Sequence, residues 1–146
     1  MNLLSLAVSL FVINMSGISD CGTMPFFTIV SQSFTPSAPK AGENVSWSIT
    51  YKVPDNVEVT SGRSVNSGTI NGFIPIDPTV SDLCTIVECP ILSGEYTSTS
   101  YQTWPDGLSG TKLALTTQWV DESYNELLCS KVVVTGLQPQ QFLRGN

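Results

Sequence analysis

The chain has 146 residues, and its 6 basic and 12 acidic side chains give a net charge of −6 at pH 7. The basic residues are scattered, so the sequence lacks the positive stripe that nucleic-acid binding needs, and its attraction to anionic membranes is weak at neutral pH. There is no histidine, which excludes Ser-His-Asp and Cys-His catalysis and the common histidine metal sites. These absences agree with our expectation of a protein that is not an enzyme and that holds no cofactor and no metal.

The N-terminus predicts a signal peptide. Its apolar run has the length of a signal segment and is too short to span a bilayer. Gly17 and Ser19 fit the small residues that precede a cut before Asp20. A buried N-terminal strand or helix is the alternative. In chain order, the predicted units are the signal peptide over 1–19, one domain over 20–137 and a polar tail over 138–146.

Four cysteines, Cys21, Cys84, Cys89 and Cys129, follow the predicted signal peptide. An even number of cysteines in a secreted chain indicates disulfides, and four cysteines allow three pairings. Two of them are close together in the sequence, and the other two stand near the ends of the predicted domain. This layout favours Cys84–Cys89 and Cys21–Cys129. A zinc site is the alternative, although the spacing does not match paired Cys-x-x-Cys ligands.

The predicted domain consists of about seven short β-strands separated by turn residues, with no amphipathic helix. Apolar and polar residues alternate without a break from Val45 to Val53, which is typical of a half-buried strand. From Ile70 to Ile76 we predict one strand that closes at the prolines 75 and 78. In chain order, the predicted strands are 26–35, 45–53, 57–60, 70–76, 94–104, 113–119 and 127–135. Such spacing predicts an all-β, immunoglobulin-like sandwich of two antiparallel sheets.

Two further features have a functional and an ordinary interpretation. Asp82 and Asp121 raise the alternative of a carboxylate pair for glycoside hydrolysis, but both stand where turns use aspartate. Asn44-Val45-Ser46 is an N-glycosylation sequon, and strand alternation places Asn44 on the polar, accessible face. We predict glycosylation at Asn44, with an unused sequon as the alternative.

Motifs along the whole predicted domain resemble those of one family. They are Asp20-Cys21-Gly22, 36–42, Asp82-Leu83-Cys84, Cys89-Pro90-Ile91-Leu92-Ser93-Gly94 and Trp119 to Cys129. In this order and spacing they resemble the ML (MD-2-related lipid-recognition) domain, particularly the NPC2-like proteins and the phosphatidylglycerol/phosphatidylinositol transfer proteins. Many animal members carry a third disulfide in the loop after the first strand, where this chain has Pro36 and Pro39. This difference favours the transfer-protein branch.

The resemblance implies a small secreted, vacuolar or endolysosomal carrier whose two sheets hold the apolar part of a lipid in a cavity between them. The ligand classes it implies are a sterol and a phospholipid such as phosphatidylglycerol or phosphatidylinositol. We expect transient contact with membranes and a monomeric protein. The alternatives are a lipid-recognition module that serves a receptor, and a secreted structural or adhesion domain with a filled core.

The candidate lipid-binding residues come from two sources. Strand alternation turns four apolar side chains toward the interior, and for the three aromatic ones ordinary core packing is the alternative. Alignment with the family's pocket mouth adds three more. Together the predicted lipid-binding residues are Trp47, Tyr51, Ile74 and Trp119 from alternation, and Ile76, Trp104 and Leu108 from the resemblance.

Overall fold

The computed structural model describes residues 17–136, which form a sandwich of two antiparallel sheets. One short 3₁₀ helix, Leu83–Thr85, interrupts the strands within this range. The predicted all-β sandwich is confirmed. The predicted tail and the first 16 residues of the predicted signal peptide lie outside the described residues. In chain order, the strands are β1 (Ile18–Asp20), β2 (Thr28–Thr35), β3 (Asn44–Val53), β4 (Gly62–Ile70), β5 (Ile74–Asp82), β6 (Gly94–Thr103), β7 (Lys112–Asp121) and β8 (Glu126–Thr135).

The two sheets differ in size. The larger has the strand order β1-β8-β7-β4-β5, and the smaller has the order β2-β3-β6. The sandwich is closed along the side where β2 faces β1 and β8, and there Ser130 of β8 donates a hydrogen bond to the Gln32 side chain of β2. On the opposite side, the edge strands β5 and β6 are exposed along almost their whole length. The two sheets are therefore joined on one side and separate on the other.

Strand β3 follows the alternation that predicted it. Val45, Ile49, Tyr51 and Val53 are buried, and the polar residues between them are less buried or exposed. Burial of one face is what fixes the register of such a strand, because a slip by one residue would turn every apolar side chain to solvent. β3 is the central strand of the smaller sheet and pairs along its full length with β6.

The single strand predicted from Ile70 to Ile76 is wrong. Asn71 and Gly72 adopt positive φ angles of 54° and 85°, and the chain reverses there between β4 and β5. Asn-Gly is the residue pair that tight hairpin turns favour, because both positions need a positive φ. The apolar residues on the two sides of Asn71-Gly72 belong to two antiparallel strands, β4 and β5, and not to one continuous strand.

The predicted end of that strand at Pro75 and Pro78 is also wrong, because β5 continues to Asp82. β5 is the edge strand of the larger sheet and pairs only with β4. Proline is compatible with an edge strand because no second neighbour needs its missing N–H. The pairing also shifts register opposite Ser67, so that Pro78 lies within a β-bulge.

The short strand predicted over 57–60 is wrong as well. Only Val59 pairs, through two backbone hydrogen bonds with Ile91 that measure 3.0 and 2.7 Å. The next strand, β4, begins at Gly62. A Cβ atom at this position would contact the backbone oxygen of Val120 on β7. Gly62 is therefore required for close strand approach and not for a turn.

Both predicted disulfides are confirmed. Cys21 pairs with Cys129, and Cys84 pairs with Cys89. No cysteine is left free, so the zinc alternative loses its ligands. β1 was not predicted as a strand, and it pairs with β8 through Ile18, Ser19 and Asp20. The cut predicted before Asp20 therefore falls inside β1, and it stays a prediction.

The buried residues form two clusters, one in each half of the sandwich. The first is filled by large side chains that include Phe27, Tyr51, Leu83 and Trp119. The second contains Val45, Trp104, Leu113, Val132 and Val134. No helix among residues 17–136 is long and apolar enough to cross a membrane.

Candidate functional site

A cavity of about 520 Å³ lies between the two sheets, beside the second buried cluster. It occupies the half of the sandwich where β3 begins and β6 ends. Its volume lies within the range of about 300–1,000 Å³ that is typical of small-molecule sites. The lining residues are Phe34, Val45, Trp47, Asn66, Ser67, Ile70, Ile76, Asp77, Thr79, Ser100, Gln102, Thr103, Trp104, Pro105, Leu108, Leu113, Leu115 and Thr116.

In this half of the sandwich, a large inner-face side chain has a small neighbour on the next strand. That neighbour is Ser100 on β6, which lines the cavity. Ser100 is the register partner of Trp47, so one large and one small side chain stand next to each other on the same inner face. The other half instead stacks Phe27 on Tyr51, with ring centroids 5.6 Å apart. Alternation is the same in both halves, but the side-chain volumes differ.

The inner wall of the cavity is apolar. Phe34 meets the Trp47 ring edge-on, with centroids 6.1 Å apart and planes at 67°. Val45, Leu113 and the same two aromatic rings pack in or against the second buried cluster. These side chains come from both sheets, so they present a continuous surface to the apolar part of a ligand.

The opening lies between the edge strands β5 and β6. Asp77 and Thr79 on β5, and Ser100 and Gln102 on β6, line the cavity and are also exposed to solvent. Neither strand has a second neighbour to hold the sheets together on this side. A ligand can therefore reach the apolar wall without passing through the backbone of either sheet.

A β-bulge in β5 lies at this opening. Ile76 pairs with Gly68, and Thr79 pairs with Asn66, so Asp77 and Pro78 together stand opposite the single residue between them on β4. Strict alternation would turn Ile76 and Asp77 to opposite faces of the sheet. A bulge redirects side chains locally, and here both residues line the cavity.

Trp104 closes the end of the cavity. Its backbone N–H donates to the Glu43 carbonyl at 2.8 Å, and its own carbonyl accepts from Gly42 at 2.9 Å. Only 4% of the residue is exposed. Among residues 17–136 the indole N–H nevertheless finds no hydrogen-bond partner, and the same is true of the buried indole N–H of Trp47. Two unpaired donors therefore lie on side chains that line the cavity.

Gly136 fixes the loop that carries Trp104 to Thr111. Its N–H donates to the Thr111 carbonyl at 3.0 Å, and its carbonyl accepts from Gly110 at 2.9 Å. A Cβ atom here would contact the carbonyl of Leu108 and would lie 3.1 Å from Nε1 of Trp104. The loop packs tightly on this residue only because it lacks a side chain.

Four of the predicted lipid-binding residues come together at the cavity. Trp47, Ile76, Trp104 and Leu108 all line it. Three of these four came from the family resemblance and one from alternation. The positions of these side chains are compatible with lipid contact, and lipid contact itself stays a prediction.

The other three predicted lipid-binding residues lie elsewhere. Tyr51 and Trp119 pack edge-to-face in the filled half, with centroids 5.1 Å apart, and both are at most 3% exposed. Burial, with a smaller contribution from Tyr96, raises the pKa of Tyr51 to about 12, so its hydroxyl stays neutral. Ile74 is 45% exposed at the start of β5. We do not include these three in the site proposed below.

Several residues that line the cavity were not predicted from the sequence, although strand alternation could have identified two of them. Leu113 and Leu115 share a predicted strand face with Trp119, but only the tryptophan was selected. Phe34 lies in the first predicted strand, and no signal in the sequence distinguished it from the core. Strand parity identifies the inner face, but it does not show where that face is left uncovered.

The two aspartates that raised the alternative of glycoside hydrolysis both accept hydrogen bonds from nearby backbone N–H groups. Asp82 accepts a hydrogen bond from the Cys84 N–H at 2.9 Å and caps the 3₁₀ helix. Asp121 accepts from the N–H groups of Ser123 and Asn125, both at 2.9 Å, and from the Asn125 amide. Burial alone would raise the pKa of Asp121, but these hydrogen bonds outweigh it and hold the pKa below its ordinary value.

The sequence of this chain matches a family model. The model for the ML domain matches residues 16–135, which is most of the chain. The chain belongs to the ML domain family. This confirms the resemblance that the motifs indicated. Membership implies lipid binding, and ML domain proteins generally act without catalysing a reaction. A disulfide-bonded ML domain is also consistent with the secretory pathway.

Solved structures agree with the ML domain fold. Among the 45 matching chains is a Niemann-Pick type C2 protein from the Japanese carpenter ant. It superimposes with a TM-score of 0.63 at 14% identity, and the match covers 80% of this chain and 96% of that one. At this identity the similarity establishes the fold alone. No curated protein matches the sequence significantly.

The glycosylation sequon of this ML domain is accessible. Asn44 is the first residue of β3, and its side chain is exposed. It pairs with Thr103, at the end of the sandwich that holds the cavity. Glycosylation of Asn44 stays a prediction.

Proposed function

We propose that this chain carries a lipid between membranes by enclosing the lipid's apolar part between its two sheets. The observation that carries the proposal is the apolar cavity of about 520 Å³ that opens between β5 and β6. A sterol or a phospholipid is the cargo class that family membership suggests. Transfer needs no catalytic group, which agrees with a sequence that contains no histidine.

The cavity volume fits one lipid chain. A methylene group occupies about the volume of a water molecule in the liquid, roughly 30 Å³, so a chain of about sixteen carbons needs on the order of 480 Å³. Burying each methylene is worth ~0.8 kcal/mol, so such a chain contributes on the order of 10 kcal/mol before the ordering costs of binding. The cavity alone therefore supports useful affinity.

An exposed apolar residue stands beside the opening. Phe73 is in the turn between β4 and β5, at the cavity end of the sandwich, and is 76% exposed. Ile74 follows it and is 45% exposed. Exposed apolar side chains next to a lipid site are suited to contact the interfacial region of a bilayer. We infer that this turn touches the membrane when lipid enters or leaves.

The cavity also bears on the two alternatives. A structural or adhesion domain needs a filled core, and this interior contains a cavity of about 520 Å³ beside its second buried cluster. A lipid-recognition module uses the same cavity but delivers no cargo. The two lipid-binding functions differ in one property, which is exchange of the bound lipid between vesicles without a protein partner.

The test is lipid transfer between donor and acceptor liposomes by the purified, oxidised protein. A fluorescent sterol and a fluorescent phosphatidylinositol are run in parallel, at pH 5 and pH 7. We expect transfer of at least one of them at a rate proportional to protein concentration. Binding without exchange would favour the recognition module, and absence of binding to both would refute the lipid-carrier proposal.

A matched pair of variants tests the membrane contact. Phe73→Asp places a charge beside the opening and should slow transfer while leaving equilibrium lipid binding unchanged. Met24→Asp is the control, because Met24 is 84% exposed and precedes β2 at the opposite end of the sandwich. Equal slowing by both substitutions would show that the effect is not local to the opening.

A further inference from the structure

Among residues 17–136, the lining of the cavity includes a negative charge and no positive one. Asp77 is the only charged residue that lines the cavity within residues 17–136. Asp77 stands in the bulge of β5, directly after Ile76, which also lines the cavity. The remaining polar side chains at the opening are hydroxyls and amides, which include Thr79, Ser100 and Gln102.

No basic residue of the described range 17–136 lines the cavity. Lys112 precedes Leu113 on β7, and strand alternation turns it to the outer face of the sheet. Lys40 lies in the loop before β3, where its own backbone N–H donates to the Glu43 carboxylate at 2.9 Å. Neither lines the cavity. A carboxylate or phosphate head at the opening would therefore meet Asp77 without a lysine or arginine to bind it.

The neutral polar groups favour a different kind of head. A lipid hydroxyl or ester can exchange hydrogen bonds with the Thr79 and Ser100 hydroxyls and the Gln102 amide. Within the described part of the chain, the indole N–H groups of Trp47 and Trp104 are buried without partners, so they can donate to a ligand oxygen. Leaving such donors unpaired is unfavourable, and a ligand that supplies an acceptor removes that cost.

We propose that Asp77 makes this cavity selective for lipids with one apolar chain and an uncharged, hydrogen-bonding head, and against the same chain with an anionic head. This inference rests on the proposed lipid binding, and it identifies Asp77 as a specificity-determining residue. It also disfavours anionic two-chain phospholipids as cargo, because their second chain exceeds the space that the cavity offers.

The test compares two lipids that share one chain. The oleoyl monoacylglycerol is uncharged, and oleate is anionic at neutral pH. Each is titrated into the full chain below its aggregation concentration, with tryptophan fluorescence as the readout. Because Asp77 is exposed and solvent screens its charge, we expect the monoacylglycerol to bind roughly three- to tenfold more tightly.

Variants separate the local charge from the net charge. Asp77→Asn should bring the ratio of the two dissociation constants close to one, and Asp77→Lys should reverse it. Asp55→Asn is the control, because it changes the net charge equally but lies in the turn after β3, at the far end of the sandwich. It should leave the ratio unchanged.

The outcomes distinguish the two proposals. An unchanged ratio in Asp77→Asn, or an equal change in Asp55→Asn, would overturn the selectivity while leaving lipid binding intact. Absence of binding of both lipids to the folded wild-type protein would overturn the proposed function and the selectivity with it. A ratio that follows the charge at position 77 alone would support both.

Discussion

Filling the cavity with one added side chain should abolish lipid binding and leave the fold unchanged. Ser100 is the position to use, because it lines the cavity directly opposite Trp47 on the neighbouring strand and is exposed. In the Ser100→Trp variant the new indole extends into space that no protein atom occupies. It also gains an aromatic cross-strand neighbour, which favours its insertion.

The size of the effect follows from the volume that is lost. A tryptophan side chain brings about eight more heavy atoms into the cavity than a serine. If these displace only four methylenes of the ligand, binding weakens by about 3 kcal/mol at ~0.8 kcal/mol per methylene. That is a loss of more than about a hundredfold in affinity. The free energy of unfolding should change by less than about 0.5 kcal/mol, since no buried contact is removed.

The assay is lipid titration together with urea unfolding, on the oxidised protein. Ser33→Trp is the matched control, because Ser33 is exposed on β2 and pairs with Ser48 on the outer face of the same sheet. It should bind lipid like the wild type. Normal binding by Ser100→Trp in a correctly folded protein would refute the assignment of this cavity as the lipid site.

Three further predictions concern stability. Gly136→Ala should lower the free energy of unfolding by about 1–3 kcal/mol in urea titrations and shift tryptophan fluorescence, because the added methyl group meets the loop that holds Trp104. The pKa of Tyr51 is about 12, above its ordinary value of 10.0. The folding stability that comes from its neutral hydroxyl is therefore complete below pH 10.0 and is lost as the pH rises through about 12. Absorbance titration should show one tyrosine ionising late, together with unfolding. The pKa of Asp121 is lowered, so its carboxylate stabilises the fold at neutral pH and loses this effect as the pH falls. Asp121→Ala should therefore lower the free energy of unfolding modestly at neutral pH. Unfolding measured at falling pH should show the gap between variant and wild type disappear once the wild-type carboxylate is protonated.

The fold was predictable where one face of a strand is buried and the other is not. β3 shows this best, because Val45 to Val53 alternate without interruption and the predicted bounds differ from the strand by one residue. The errors fall where backbone geometry overrides the pattern. Asn71-Gly72 reverses the chain inside an apparently continuous apolar face, and Gly62 begins a strand that its missing side chain permits. In both places a glycine in the sequence marks the departure from regular alternation.

The candidate site was less predictable, for a physical reason. Trp47 and Tyr51 lie on the same face of β3, yet one lines the cavity and the other is packed in the core. What separates them is the volume of the residues opposite, Ser100 for the first and Tyr96 for the second. Strand pairing must be known before those volumes can be compared. Asp77 lines the cavity but was missed, because it lies in a bulge and alternation does not predict bulges.

The two halves of the sandwich divide stability and binding between them. Cys84 and Cys89 flank the filled core, where Cys89 packs against the buried aromatic cluster, and Cys129 follows two fully buried leucines of the same cluster. The long disulfide to Cys21 also constrains this half. Crosslinks reduce the entropy of the unfolded chain wherever they are placed, so they stabilise the domain without occupying the cavity. The half between β5 and β6 can then keep an open interior, because the sheets are held together elsewhere by the packed core and by the contact of β2 with β1 and β8.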